Sequence, residues 1–179
     1  MDFVEGYIGR TEDIRELFKA TFTASEGAEE GAVIGDLVAG MMNEASCDDV
    51  LTYTAYDEGD LVGGIFFSRL VFDQDDRIVF ILSPVAVRTG RQRTGVGQKL
   101  IAYGLEEMRR KGVDVVMTYG DPAYYSKSGF RQITEEFARS PHALSQPIGW
   151  QAQSLGDGGL QPLAGPSRCV EPLNKAELW

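Results

Sequence analysis

Histidine is nearly missing from this chain: His142 is the single one, beside two cysteines, Cys47 and Cys169. One histidine excludes a histidine-rich zinc or iron centre. The two cysteines offer neither a disulfide framework nor metal-site spacing, so no metal is expected. No apolar run approaches the ~20 residues needed to span a bilayer. The N-terminal MDFVEGYIGR has no basic leader and no apolar core, so no secretory signal is read and the expected compartment is the cytoplasm. Positive charge is scarce as well. Seventeen Lys and Arg against 27 Asp and Glu leave a net charge of −10. That balance argues against nucleic acid or an anionic membrane as partner, since phosphate neutralisation needs Lys and Arg. Cationic ligands would be favoured, although solubility explains the acidity equally well.

What is present is an ordinary globular composition, 43% apolar and 25% charged over 179 residues, enough for one domain over 1–179. Phe3 to Ile8 reads as a first strand. Thr11 is placed to cap a helix whose Ile14, Leu17, Phe18 and Phe22 recur at helical spacing, with Glu12 and Asp13 in its first turn. The acidic SEGAEEG reads as a break before a second helix around Val33 to Glu44. Residues 50–72 read as a hairpin turned at Gly59, and 77–87 as an apolar strand buried on both faces. From Gly95 the period becomes helical, with Val96, Leu100, Ile101, Leu105 and Met108 on one face and Gly112 closing the helix. A strand over 113–119 follows, then a short helix capped by Asp121 with Pro122 at its first position. Weak closing strands, a glycine-rich loop over 156–166 and a short tail end the chain. The order is that of a mixed α/β fold with an α+β sheet.

RQRTGVG, residues 91–97, stands between that buried strand and that amphipathic helix. Strand, glycine loop, helix directs free amide hydrogens and a helix N-terminus at one point, which suits phosphate. A Walker loop would need Gly-Lys-Ser/Thr, and Gly97 is followed by Gln98. A dinucleotide fingerprint would need a third glycine, where Leu100 stands. What fits is Gln-x-x-Gly-x-Gly, over Gln92, Arg93, Thr94, Gly95, Val96 and Gly97. Arg88, Arg91, Arg93 and Lys99 cluster there within an acidic chain.

With Tyr125-Ser-Lys-Ser-Gly129-Phe130 downstream, this pattern resembles the GNAT superfamily of acyl-CoA-dependent N-acetyltransferases, best over 3–131. The resemblance implies a GNAT-like acyl-CoA N-acyltransferase fold and acetyl-CoA as co-substrate. Loop residues 92–98, Gln98 included, would bind the coenzyme pyrophosphate, and Val85, Ala86 and Val87 its pantetheine arm. A backbone N–H at or beside Val85 would polarise the thioester carbonyl. Tyr125 takes the position of the general acid that protonates the leaving thiolate. A phenol of pKa near 10 can donate to a thiolate whose conjugate acid lies near 8.5. The acceptor would be a small-molecule or peptide amine, attacked directly in a ternary complex. A homodimer is compatible, as dimers are common in that family.

Two departures stand out. ILSPVAV carries no acid where many members have a glutamate base, leaving Ser83, a water chain, Glu26, Glu29 or Asp36 as alternatives. GDPAYY replaces the Asn and Ala common before the family tyrosine, as in a small bacterial subgroup of largely unassigned substrate. The missing acid also leaves room for a non-catalytic acyl-CoA sensor. Trp150 fits either the core or the acceptor cleft, and His142 shows no partner in sequence.

Overall fold

The computed structural model describes every residue from Met1 to Trp179 as a mixed α/β fold with an eight-stranded sheet. Its elements are β1 (Asp2–Glu5), α1 (Thr11–Glu26), α2 (Ala28–Asn43), β2 (Val50–Asp57), β3 (Asp60–Phe72), β4 (Val79–Val87), α3 (Val96–Arg110), β5 (Val115–Tyr119), α4 (Pro122–Tyr125), β6 (Arg131–Gln132), β7 (Trp150–Ser154) and β8 (Ser167–Cys169). The chain separates into two compact units, Met1–Phe67 with Pro84–Gly104, and Ser68–Ser83 with Leu105–Trp179. β3, β4 and α3 each run from one into the other.

The first unit holds β1, β2 and the adjoining parts of β3 and β4, in that order across the sheet. The first strand is shorter than the sequence suggests. Its pairing with β2 ends at Glu5↔Tyr53, and Ile8 lies 92% exposed beyond it. Thr11 does not cap α1 but is its first residue. Arg10 fixes this entry instead, its guanidinium donating to the carbonyl of Gly6 at 2.6 Å and to Thr54 Oγ1 at 3.2 Å. The expected acidic break shrinks to Gly27, because α1 runs to Glu26 and α2 begins at Ala28. Glu29 and Glu30 therefore sit in the first turn of α2, where their charge complements the helix dipole. Gly31 permits the close approach of the two helices: a Cβ there would stand 2.7 Å from the carbonyl oxygen of Lys19.

β3 separates two packing faces. Phe18 of α1 meets Phe66 edge-on at 5.3 Å, and a Cβ on Gly64 would strike the Phe18 ring at 2.8 Å. On the opposite alternation, Gly63 lies against Leu100 and Val96 of α3. All five apolar residues expected on the inner face of α3 are buried, from Leu100 at 0% to Leu105 at 6% exposed.

The second unit carries β4, β5, β7 and β6 in that order, with β8 antiparallel to β3 over Leu70↔Cys169 to Phe72↔Ser167. β8 has no signal in the sequence; only its partner strand makes three residues a ladder. Trp150 belongs to the core, fully buried with its indole N–H donating to the carbonyl of Ala138 at 2.8 Å. The tail is anchored rather than loose: Trp179 is 3% exposed and stacks on Tyr119, and Ser145 N–H donates to its carbonyl at 3.0 Å. His142, without a partner in sequence, pairs through Nε2 with Asn174 Oδ1 at 2.8 Å.

Candidate active site

β4 changes character at its midpoint. Val79 to Leu82 are buried on both faces and pair in parallel with β5, from Val79↔Val115 to Leu82↔Thr118. Beyond Leu82 the strand alternates. Pro84 and Ala86 stay buried, while Ser83, Val85 and Val87 are half-buried. The expectation of a strand covered on both faces thus holds for its first half only. The second half offers one face on which a ligand could lie, and of the three residues assigned to the pantetheine arm, Val85 and Val87 are on it.

In the first unit, a short 3-10 turn over Thr89–Arg91 leads from β4 into the glycine loop. Gln92 turns its amide back to the carbonyl of Val87 at 3.1 Å, and Thr94 Oγ1 donates to the carbonyl of Arg91 at 2.6 Å. Both contacts spend side chains on shaping the loop. Arg93 and Gly95 take positive φ, 60° and 86°. The left-handed conformation is nearly free for glycine, and a Cβ on Gly95 would meet open space. The first intrahelical bond is Lys99 N–H to the carbonyl of Gly95 at 3.1 Å. Beyond the turn over residues 92–95, the amide hydrogens of Arg93, Thr94, Gly95, Val96 and Gly97 make no close hydrogen bond within the protein. Donors of this kind at the N-terminus of a fifteen-residue helix are an arrangement that could hold an anion.

The four bases near the loop are not equivalent. Arg91 is ion-paired with Asp57 at the end of β2, and its guanidinium holds that carboxyl below the usual range. It braces the loop. Arg88, Arg93 and Lys99 carry no ion pair and keep their charge available.

In the second unit, Asp121 caps α4 as expected, its Oδ1 accepting from Ala123 N–H at 2.9 Å. This short helix sets Tyr125, 9% exposed, against Phe130, the rings edge-on at 5.8 Å. Gly120 lies under the ring, where a Cβ would come within 2.8 Å. Burial pushes the phenol well above its ordinary pKa, and a hydrogen bond with Thr118 only partly opposes the shift. The Thr118 hydroxyl hydrogen goes to the carbonyl of Leu82 at 2.9 Å. Tyr125 is therefore tied to the place where the β4–β5 register ends, and it holds its proton throughout the neutral range.

The acids weighed as general base lie apart from any such arrangement. Glu26 and Glu29 are exposed at the α1–α2 turn, and Asp36 contacts Arg15 at 3.4 Å. Ser83, on the half-buried face of β4, is the remaining one with a place at the strand.

The sequence profile of the Acetyltransferase (GNAT) family matches residues 11–130. The uncharacterized N-acetyltransferase YjhQ of Escherichia coli strain K12 is 34% identical over 167 residues, 89% of this chain and 87% of that protein. Among solved structures, the GNAT family N-acetyltransferase YhbS of Escherichia coli in complex with CoA superposes with a TM-score of 0.78 at 23% identity, covering 97% of this chain and 92% of that one. A GNAT family acetyltransferase of Brucella melitensis in complex with acetyl-CoA gives 0.71 at 23% identity, covering 96% and 97%.

Proposed function

Since the chain belongs to the GNAT family of acetyltransferases, we propose that it transfers an acetyl group from acetyl-CoA to a primary amine by direct attack in a ternary complex. The observation that carries this reading is the row of amide hydrogens from Arg93 to Gly97 that make no close hydrogen bond within the protein. In the proposal these donors and that of Gln98 take the pyrophosphate of the coenzyme, with Arg88, Arg93 and Lys99 supplying counter-charge. The half-buried face of β4 at Val85 and Val87, flanking Ala86, receives the pantetheine arm. An amide hydrogen there polarises the thioester carbonyl, so that the tetrahedral oxyanion forms against a preset donor.

Three proton tasks remain. The acceptor must shed its proton before attack, because an alkylammonium of pKa ~10 has no free lone pair. Ser83 with a chain of water is our assignment for that task, as the one candidate on the strand itself. The amine then adds to the carbonyl carbon, the C–S bond breaks, the departing thiolate takes a proton from Tyr125, and the second proton shed by the nitrogen as it becomes an amide returns to that phenol through water. This phenol is protonated at neutral pH and so has the proton to give, although the burial that raises its pKa makes it a weaker acid. Both compact units act in this scheme as one acetyltransferase domain over residues 1–179. Gly120-Asp121-Pro122-Ala123-Tyr124-Tyr125 is taken as the mark of a small bacterial subgroup, acting in the cytoplasm as a monomer or homodimer.

The test is release of free thiol from acetyl-CoA across a panel of amines, amino acids, aminoglycosides and N-terminal peptides, with Tyr125→Phe alongside. Turnover on an amine with a loss on the order of 10²-fold in the variant supports the scheme. Saturable coenzyme binding with no turnover on any amine would instead favour a non-catalytic acyl-CoA sensor.

A further inference from the structure

In the second unit, the β5–β7 ladder reaches its last rung at Tyr119↔Trp150, yet the chain segments stay joined beyond it. Gly120 N–H donates to the carbonyl of Gly149 at 3.0 Å. Only a residue without a side chain allows this approach, because a Cβ on Gly149 would stand 3.0 Å from the carbonyl oxygen of Gly120. Gly120 in turn carries the ring of Tyr125, which a Cβ there would meet at 2.8 Å. The place of the Tyr125 ring therefore depends on where Gly120 is held.

One side chain holds it. Gln151 Nε2 donates to the carbonyl of Gly120 at 3.2 Å and to that of Gly149 at 3.3 Å. An amide nitrogen has two hydrogens, and two carbonyl oxygens are the neighbours that suit them. Gln151 is only 1% exposed and stands directly opposite Thr118 in the ladder. Burying a carboxamide costs free energy unless its hydrogen bonds are made. An apolar residue would fill a strand position of this kind without that cost. What the amide adds is a clamp across the two glycines, on the residue that supports Tyr125.

We propose that Gln151 is a positioning residue for acyl transfer: by holding Gly120 against Gly149 it sets where the Tyr125 ring, and with it the hydroxyl, stands when the thiolate departs. The inference rests on the reading of Tyr125 as the acid. Gln151 touches neither coenzyme nor amine in this scheme and acts through Gly120 alone. Proton delivery falls off steeply with misplacement of the donor, so a loosened Gly120 costs rate. Coenzyme affinity, which the glycine loop supplies in the same reading, is left as it was.

Steady-state kinetics on the full chain test it, with acetyl-CoA and whichever amine of the panel above turns over fastest. Gln151→Leu should lower kcat about 10-fold while the KM for acetyl-CoA stays within about twofold. Added to Tyr125→Phe it should lower kcat no further, because both changes act on one proton transfer. Gly149→Ala reaches the same point with the Gln151 amide intact, since its methyl presses on the Gly120 carbonyl; the same loss is expected, again absent beside Tyr125→Phe. In protein labelled with 3-fluorotyrosine, the fluorine signal of Tyr125, identified by its loss in Tyr125→Phe, should shift in both variants without any amine present. Losses that multiply with that of Tyr125→Phe overturn the proposal, as does an unchanged kcat or an unmoved Tyr125 signal in both variants. No turnover on any amine, or an unchanged kcat in Tyr125→Phe itself, removes the acid and the proposal with it. That pattern differs from an enzyme that needs Tyr125 and is indifferent to Gln151.

Discussion

Thr118 donates its hydroxyl hydrogen to the carbonyl of Leu82 across 2.9 Å, fully buried, at the last paired position of the parallel β4–β5 register. The same threonine shares a hydrogen bond with Tyr125. One side chain thus joins the end of a strand pair to the proposed acid.

Thr118→Val keeps the shape and removes both bonds. It should lower the unfolding free energy by about 1 kcal/mol, the net worth of a buried neutral hydrogen bond, read from urea denaturation.

The raised pKa of Tyr125 has two consequences with a definite sign. As an acid it stays protonated past the ordinary phenol pKa of ~10, so the kcat profile should have no falling limb from this group up to that pH. Stability behaves differently. Above ~10 the unfolded chain ionises this phenol while the folded one does not, so folding stability falls as pH rises through that range. Tyr125→Phe should flatten this alkaline loss in thermal unfolding; an unchanged slope would remove burial as its cause.

Gly95→Val places a β-branched residue at φ 86° and a side chain in the space the coenzyme is proposed to fill. The left-handed backbone alone should cost about 1–2 kcal/mol. Thermal stabilisation by coenzyme A, expected in the parent, should vanish in the variant. If the variant gains as much from coenzyme A as the parent does, the phosphates bind elsewhere.

Asp75 and Arg77 form a forked pair, Nε to Oδ1 at 2.9 Å and Nη2 to Oδ2 at 2.7 Å, with the Ala164 amide on the same carboxylate at 3.2 Å. The Arg77 guanidinium bond is the main reason the carboxyl sits down at about 2. A depressed pKa stabilises the fold above the unfolded value near 4 and loses that contribution as pH falls through 2. Asp75→Asn should cost about 2 kcal/mol at pH 7, and the difference from the parent should close between pH 4 and pH 2 in acid unfolding.

Local rules were legible wherever one element obeys its own chemistry. The inner face of α3 from Val96 to Met108, the Asp121 cap and the turn at Gly59 were readable because helical period, capping oxygen and turn glycine act within a few residues. So was the order of glycines after Gln92, whose spacing separates one phosphate loop from another. Residues whose partners lie far along the chain were not readable. Thr11 looked like a cap until Arg10 reached Gly6 and Thr54, and Arg91 looked like a phosphate ligand until Asp57 took it. His142 and Trp150 could not be placed without Asn174 and Ala138.

By itself, then, the amino-acid sequence determined the alternation of strands and helices, the amphipathic faces and the glycine loop, because backbone propensity and side-chain period act over short spans. Only the tertiary structure decided which loop amides make no close internal bond, which arginine is neutralised, where β4 loses its second cover, and that Tyr125 is buried with its proton. Each of those depends on solvent exclusion and on neighbours tens of residues away, which no local pattern encodes.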